Sequence, residues 1–357
     1  MDVALKIWRF DPETGERALK DYEVEAPEWA CLLDVLDIIK DQVDGTLGYR
    51  KSCRMMICGS CGMRMDGRAV LACRERMKPI VERGHVPVIS AMGNMPVLKD
   101  LVVDMTPFWA KVRNMKPWLD TGYEEVPEKE FRYTQEQMNP IHKEALCIMC
   151  GCCVSECNSM ESDPEFFGPA ALAKGFRFVG DPRERGQVER LEHYNDEHGI
   201  WDCTRCYFCN ERCPKGVDPR DSIAKLGAES IKYGIDRDMG AKHAKWFVRS
   251  AMTTGWLRET ELVPKTQGVI EAVRQTKFAL KLAKHGKVPI PVPPHVADRV
   301  QEARALYEVV KAQGRDGAAG IVQSERALAR IEHTDHGGAR RDAPEVTPGE
   351  TPPPAEG

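Results

Sequence analysis

The sequence has no long apolar run. Its longest stretch without Asp, Glu, Lys, Arg or His is residues 86–98, 13 residues that include two prolines and a glycine. A membrane-spanning helix needs about 20 predominantly apolar residues, so no span is expected. The first ten residues, MDVALKIWRF, lack a basic segment followed by an apolar one, and no export signal is read there. Positive charge is not in excess. With 51 Lys and Arg against 55 Asp and Glu, the formal net charge is −4, which argues against nucleic acid as the main partner. A Walker loop, a dinucleotide fingerprint and a nucleophile–base pair are also missing, and none of the nine histidines stands at metal-ligand spacing from another. A substrate-oxidising site on this chain is therefore not expected.

Cysteine is what the chain has in quantity: 14 in 357 residues. A chain of this length should fold as two or three domains of about 100–200 residues, too large for a secreted disulfide scaffold. The expected compartment is the cytoplasm, where structural disulfides are rare and clustered thiols bind metal or carry redox chemistry.

Spacing separates these roles. Cys53-x4-Cys58-x2-Cys61, with Cys73 further on, has the plant-ferredoxin spacing for a 2Fe–2S cluster. Cys147-x2-Cys150-x2-Cys153-x3-Cys157 and Cys203-x2-Cys206-x2-Cys209-x3-Cys213-Pro214 have the bacterial-ferredoxin spacing for 4Fe–4S clusters. In the doubled bacterial motif the fourth cysteine of each run ligates the other cluster. That crossing assigns Cys147, Cys150, Cys153 and Cys213 to one site, and Cys157, Cys203, Cys206 and Cys209 to the other. Structural zinc usually takes two separated cysteine pairs, whereas these cysteines come in runs of three plus one, so zinc is not expected. Cys31 and Cys152 remain as packing residues, Cys31 in a helical apolar segment with Trp29, Leu32, Val35, Leu36 and Ile39.

The remaining pattern predicts an α+β chain. Strands are expected at Val3–Leu5–Ile7, near Tyr22 to Val24, around Met63 and Met65, at 70–73 and at 86–89, with a helix at about 28–40. This ββαβ order suits a β-grasp, plant-type ferredoxin domain over residues 1–105. Residues 106–235 read as a mostly α-helical, bacterial-ferredoxin-like domain holding the two repeated runs, with a helix opening at Pro169. Residues 236–332 form a helical C-terminal extension. In it, residues 268–285 set Val269, Val273 and Leu280 on one side and Arg274, Lys277, Lys281 and Lys284 in a basic stripe, suited to an anionic membrane, an acidic partner or plain solvent. An extended spacer is expected at 288–294, an amphipathic helix through Val296, Val300, Ala303, Tyr307 and Val310, and a disordered tail at 333–357.

The motifs Tyr49-Arg50-Lys51-Ser52-Cys53, Ile57-Cys58-Gly59-Ser60-Cys61-Gly62-Met63 and Leu71-Ala72-Cys73 carry a family resemblance. It continues in Cys147-Ile148-Met149-Cys150-Gly151-Cys152-Cys153, Gly168-Pro169-Ala170-Ala171-Leu172 and Cys213-Pro214-Lys215-Gly216. The chain resembles, over about residues 1–235, the iron–sulfur subunit of succinate dehydrogenase and fumarate reductase, respiratory complex II. The resemblance implies an electron-transfer subunit of the respiratory chain and tricarboxylic acid cycle. A partner flavoprotein with covalent FAD would perform the dicarboxylate chemistry, and electrons would pass through 2Fe–2S, 4Fe–4S and a third cluster to quinone. It also implies a place on the inner face of the cell membrane, held there through partner subunits. Residues 50–76 contain Arg50, Lys51, Arg54, Arg64, Arg68, Arg74 and Arg76 against only Asp66 and Glu75, which suits docking to a partner surface.

Three departures from the family pattern stand out. The family's third cluster is usually 3Fe–4S, with no cysteine at the position of Cys206; here Cys206 completes a four-thiol set and favours a second 4Fe–4S. Asn158-Ser159-Met160-Glu161 replaces Pro-Ser and aromatics near the quinone, and Thr204 replaces a frequent histidine. The extension is not part of the common core and weakly resembles a heterodisulfide reductase subunit. The partner beyond the third cluster is thus a membrane-anchor or a heterodisulfide-reductase-like subunit. The alternatives are a thiol-linked fumarate reductase and, in another class, a zinc-stabilised interaction module.

Overall fold

The computed structural model describes residues 1–122, 127–287 and 296–312. Alternating apolar residues make β1 (Asp2–Phe10), which buries Val3, Leu5 and Ile7 on one face. β2 (Arg17–Glu25) pairs antiparallel with it from end to end, Asp2 opposite Glu25 and Phe10 opposite Arg17. The ladder of β1 therefore carries β2 well beyond the short apolar stretch that marks it in sequence. β3 (Gly62–Met65) and β4 (Arg68–Leu71) form a hairpin. Its turn, Asp66-Gly67, has positive φ at both residues (52° and 75°), as a two-residue hairpin of matching twist requires. β5 (Val88–Ser90) then lies parallel to β1 and antiparallel to β3, giving the order β2-β1-β5-β3-β4.

The helix Leu32–Ile38 covers this sheet with Leu32, Leu33, Val35 and Leu36, and a π turn continues it over Ile39–Val43. It starts later than the apolar spacing suggests. Cys31 is held in a bridge with Arg76, and the Asp34 carboxylate accepts the Cys31 amide at 2.9 Å. Trp29 consequently lies outside the helix and is 65% exposed, a correction to its expected place in the helical apolar segment. A small hairpin, β6 (Val97–Lys99) with β7 (Val102–Val103), which sequence patterning did not reveal, leads into helix Thr106–Asn114.

A second core belongs to helices. Pro169–Val179 lies at its centre against Thr106–Asn114, Gln187–Tyr194 and Pro219–Lys232. Leu172, Phe176, Leu191 and Leu226 are buried there, each worth about 1.5–3 kcal/mol relative to exposure. Beyond it come Met239–Thr254, Glu259–Thr266, Val269–Arg274, Thr276–Lys284 and Val300–Ala312. The stretch 268–285 is thus two helices that meet at Gln275 (φ −83°, ψ 1°), where one continuous segment was expected. Val296 precedes the last helix and is half exposed, while Val300 is buried. The expected spacer at 288–294, the side chain of Val310 and the tail at 333–357 lie outside the described residues.

Candidate metal centres

Each cysteine run sits on a loop that curls through left-handed backbone. In the first loop these residues are Arg54 (φ 59°), Met56 (59°) and Gly59 (72°). The second has Met149 (56°) and Gly151 (81°), and the third has Arg205 (58°) and Tyr207 (67°). The second and third loops therefore repeat one another position by position, and each enters a one-turn helix, Cys152–Ser155 or Phe208–Glu211. Cys206 stands in the third loop where Cys150 stands in the second. Left-handed backbone costs a bulky residue such as Tyr207 roughly 1–2 kcal/mol. The Arg220 guanidinium lies 4.4 Å from its ring centroid and helps hold it.

Curling turns amides towards the sulfurs. Cys53 Sγ accepts from the amides of Met55 (3.4 Å), Ile57 (3.3 Å) and Cys58 (3.2 Å). Cys58 Sγ lies 3.0 Å from Ser60 Oγ and accepts the Ser60 amide at 3.5 Å, while Cys213 Sγ accepts the Val217 amide at 3.3 Å. Donors of this kind favour thiolate. Burial works against that at Cys58, but Ser60 and the Cys53 loop bring it down to about 6. Burial pushes Cys61 up to about 12, with neighbouring Cys73 and Cys58 adding their charge.

Cysteines far apart in sequence meet. Burial raises Cys147, and the thiols that reinforce the rise are Cys150 and Cys213. A small cavity opens between these three and Cys153. Burial raises Cys157 to about 11 and also raises Cys209; Cys203 and Cys206 reinforce both. The structure thus brings together Cys53, Cys58, Cys61 and Cys73; Cys147, Cys150, Cys153 and Cys213; and Cys157, Cys203, Cys206 and Cys209. Three all-sulfur sets of four are the soft donors that iron–sulfur clusters take.

Neighbouring sets adjoin. A Cβ built on Gly59 would come 2.8 Å from the Cys150 Cβ, and one on Gly62 would come 3.3 Å from the Cys150 carbonyl oxygen. The first loop therefore rests directly on the second. Cys153 in turn feels the charge of Cys209, which links the second set to the third. Cys31 and Cys152 are both buried. Cys31 Sγ donates to Asp34 Oδ2 at 3.0 Å as part of a helix cap. Cys152 packs into the core beneath the sheet, and its thiol donates to Cys150, the main reason Cys150 falls to about 7.

Sequence reasoning missed the polar residues that fasten these loops. Arg64 Nε donates to Ser155 Oγ at 3.0 Å and to Glu156 Oε1 at 3.2 Å, joining β3 to the second loop. Glu156 Oε1 also accepts the Ala69 amide at 3.1 Å, and Asn94 Nδ2 donates to the carbonyls of Val154 (2.8 Å) and Cys157 (3.0 Å). These contacts bridge 60 to 92 residues of sequence, so no local pattern signals them. Of the basic residues near the first set, Lys51 and Arg54 pair with Asp37, and Arg64 is used as described. Arg50, Arg68 and Arg74 are exposed and have no ion-pair partner among the described residues. Beside the third set, Ser159 Oγ donates to the Asp202 carbonyl at 2.8 Å and accepts the Thr204 amide at 3.1 Å. Met160 and Glu161 line a cavity of about 410 Å³ with Phe108, Lys111 and Phe167.

Residues 4–110 match the 2Fe–2S iron–sulfur cluster binding domain family, and residues 145–217 match the 4Fe–4S dicluster domain family. The chain is 40% identical over 239 residues to the fumarate reductase iron–sulfur subunit of Mycobacterium tuberculosis, covering 66% of this chain and 95% of the relative. It is 33% identical over 287 residues to the 8-methylmenaquinol:fumarate reductase iron–sulfur subunit of Wolinella succinogenes, covering 79% of this chain and 89% of the relative. A chain in the solved structure of the Mycobacterium smegmatis Sdh1 complex in the apo form superposes with a TM-score of 0.61 at 27% identity, over 66% of this chain and 98% of that one.

Proposed function

The chain belongs to the iron–sulfur subunit family of succinate dehydrogenases and fumarate reductases, and from that premise we propose how its residues carry electrons. The N-terminal unit, over residues 1–105, is a β-grasp ferredoxin domain holding a 2Fe–2S cluster on Cys53, Cys58, Cys61 and Cys73. The helical unit, over 106–235, holds a 4Fe–4S cluster on Cys147, Cys150, Cys153 and Cys213. A third cluster sits on Cys157, Cys203, Cys206 and Cys209. When bound, such clusters supply one-electron carriers whose potentials follow burial and hydrogen bonding. The amides aimed at Cys53 and Cys58 stabilise thiolate there, and burial around Cys153 and Cys209 keeps water away. The observation that carries this reading is the adjacency of the thiol sets, joined by the contact of Gly59 with Cys150 and by the proximity of Cys153 to Cys209.

The repeat of backbone conformation supports a 4Fe–4S assignment for the third site over 3Fe–4S, because Cys206 occupies the counterpart of the Cys150 position. Arg50, Arg68 and Arg74, which have no ion-pair partner among the described residues, suit docking to a flavoprotein that binds FAD covalently. At the far end the partner is a membrane-anchor or heterodisulfide-reductase-like subunit, with quinone as the final pool and attachment to the inner face of the membrane through partners. The 8-methylmenaquinol in the name of the Wolinella relative favours this over a thiol-linked route. Among the described residues, no helix is long and apolar enough to cross a membrane.

The purified complex is tested with succinate plus a quinone analogue, and separately with fumarate plus thiols. Quinone-linked turnover is expected, and turnover with thiols alone would overturn the proposal. Iron and acid-labile sulfide in the isolated chain are expected in place of zinc.

A further inference from the structure

Helices Val269–Arg274 and Thr276–Lys284 stand apart from both cores. Ile270 is 89% exposed, and Val269, Val273, Phe278 and Leu280 are each more than 60% exposed. The neighbour of Thr276–Lys284 is chiefly the helix before it. Side chains advance about 100° per residue along a helix, which sets Lys277, Lys281 and Lys284 within about 60° of one another. Apart from Thr276 at its first position, the rest of the circumference is apolar, running from Phe278 through Leu282, Ala279 and Ala283 to Leu280.

Charge separates the possible occupants. Residues 272–287 contain Arg274, Lys277, Lys281, Lys284 and Lys287 and no Asp or Glu, in a chain whose net charge is −4. Arg274 lies 3.7 Å from Glu271, whereas the four lysines have no ion-pair partner among the described residues. An acidic protein would meet the lysines but leave the broad apolar arc unexplained. An anionic bilayer meets both, because headgroups attract lysine while the acyl boundary takes Phe, Leu and Ile.

We propose that residues 268–287 are a peripheral membrane-binding element, laid flat on an anionic lipid surface by Lys277, Lys281 and Lys284 and by the apolar arc from Phe278 to Leu280. This gives the chain its own contact with the bilayer, in addition to any partner subunit. It does not rest on the electron-transfer reading, since lipid binding and cluster content are measured separately.

The full chain is floated with vesicles of phosphatidylglycerol and phosphatidylcholine, and with vesicles of phosphatidylcholine alone. Binding to the anionic vesicles only, weakened by salt, is expected. Replacing Lys277, Lys281 and Lys284 together by Glu should weaken binding by at least about a hundredfold. Phe278→Ser with Ile270→Ser should also weaken it while leaving the salt dependence. Unchanged visible absorption of the clusters in both variants shows that the fold survives. Failure of the wild-type chain to bind anionic vesicles, which would make this face a protein contact, overturns the proposal. So does binding that persists in the lysine variant.

Discussion

Gly59 and Cys150 touch across the two cysteine loops: a Cβ on Gly59 would lie 2.8 Å from the Cys150 Cβ and 2.9 Å from its Cα. Gly59 is also left-handed, at φ 72°. Two constraints, backbone and contact, fall on one residue. Gly67 shares only the first, with φ 75° and nothing within 4 Å of a built Cβ. Gly67→Ala should therefore cost about 1 kcal/mol. Gly59→Ala should cost more and disturb the first two cluster sites, because neither loop backbone can retreat without moving a proposed ligand. Thermal unfolding together with iron content distinguishes the two, and equal effects would contradict the contact.

Cys206 offers a spectroscopic test. Low-temperature EPR of the oxidised wild-type chain should lack a 3Fe–4S signal, and Cys206→Ile should show one. Iron should fall from about ten to about nine atoms per chain. Cys152→Ser should keep the full iron content, because Cys152 is a buried packing residue outside the three sets.

Arg64 and Glu156 join the sheet to the second loop. Removing either costs about 0.5–1.5 kcal/mol, since Glu156 keeps the Ala69 amide and Arg212 nearby, and Arg64 keeps Ser155. A double-mutant cycle with Arg64→Ala and Glu156→Ala should show positive coupling, since both single changes break the same contact. Additive effects would show that the pair does not join the domains.

Asp181 is buried at the end of the central helix, yet Arg183 and Arg177 overcome the effect of burial and hold its carboxyl at about 2. An unfolded Asp titrates near 3.9, so the unfolded chain takes up the proton first. The stabilisation, on the order of 2 kcal/mol, is fully present above about pH 4 and is lost as pH falls towards about 2. Asp181→Asn should be less stable at neutral pH, and the difference from wild type should shrink on the acid side. A constant difference across that range would refute the assignment.

Much of this was legible in the sequence. Short-range spacing marked all three cysteine runs, because a loop that grips a small cluster must present thiols every two to four residues. Alternation located β1, and the Asp66-Gly67 pair located the hairpin turn. The helix start was misplaced because Asp34 caps it at Cys31, which left Trp29 outside the helix. The 268–285 segment kept its apolar and basic character but broke at Gln275, a position with no breaker residue.

Sequence by itself determined the kind of donor, the number of cysteine runs and the family, since these depend on residue identity and local spacing. Only the tertiary structure decided which sets lie against one another and what fastens them. The contact of Gly59 with Cys150, the approach of Cys153 to Cys209 and the clamp of Arg64 on Ser155 and Glu156 all join distant segments. Such contacts are set by how the sheet and the helices pack, and one-dimensional spacing carries no record of that packing.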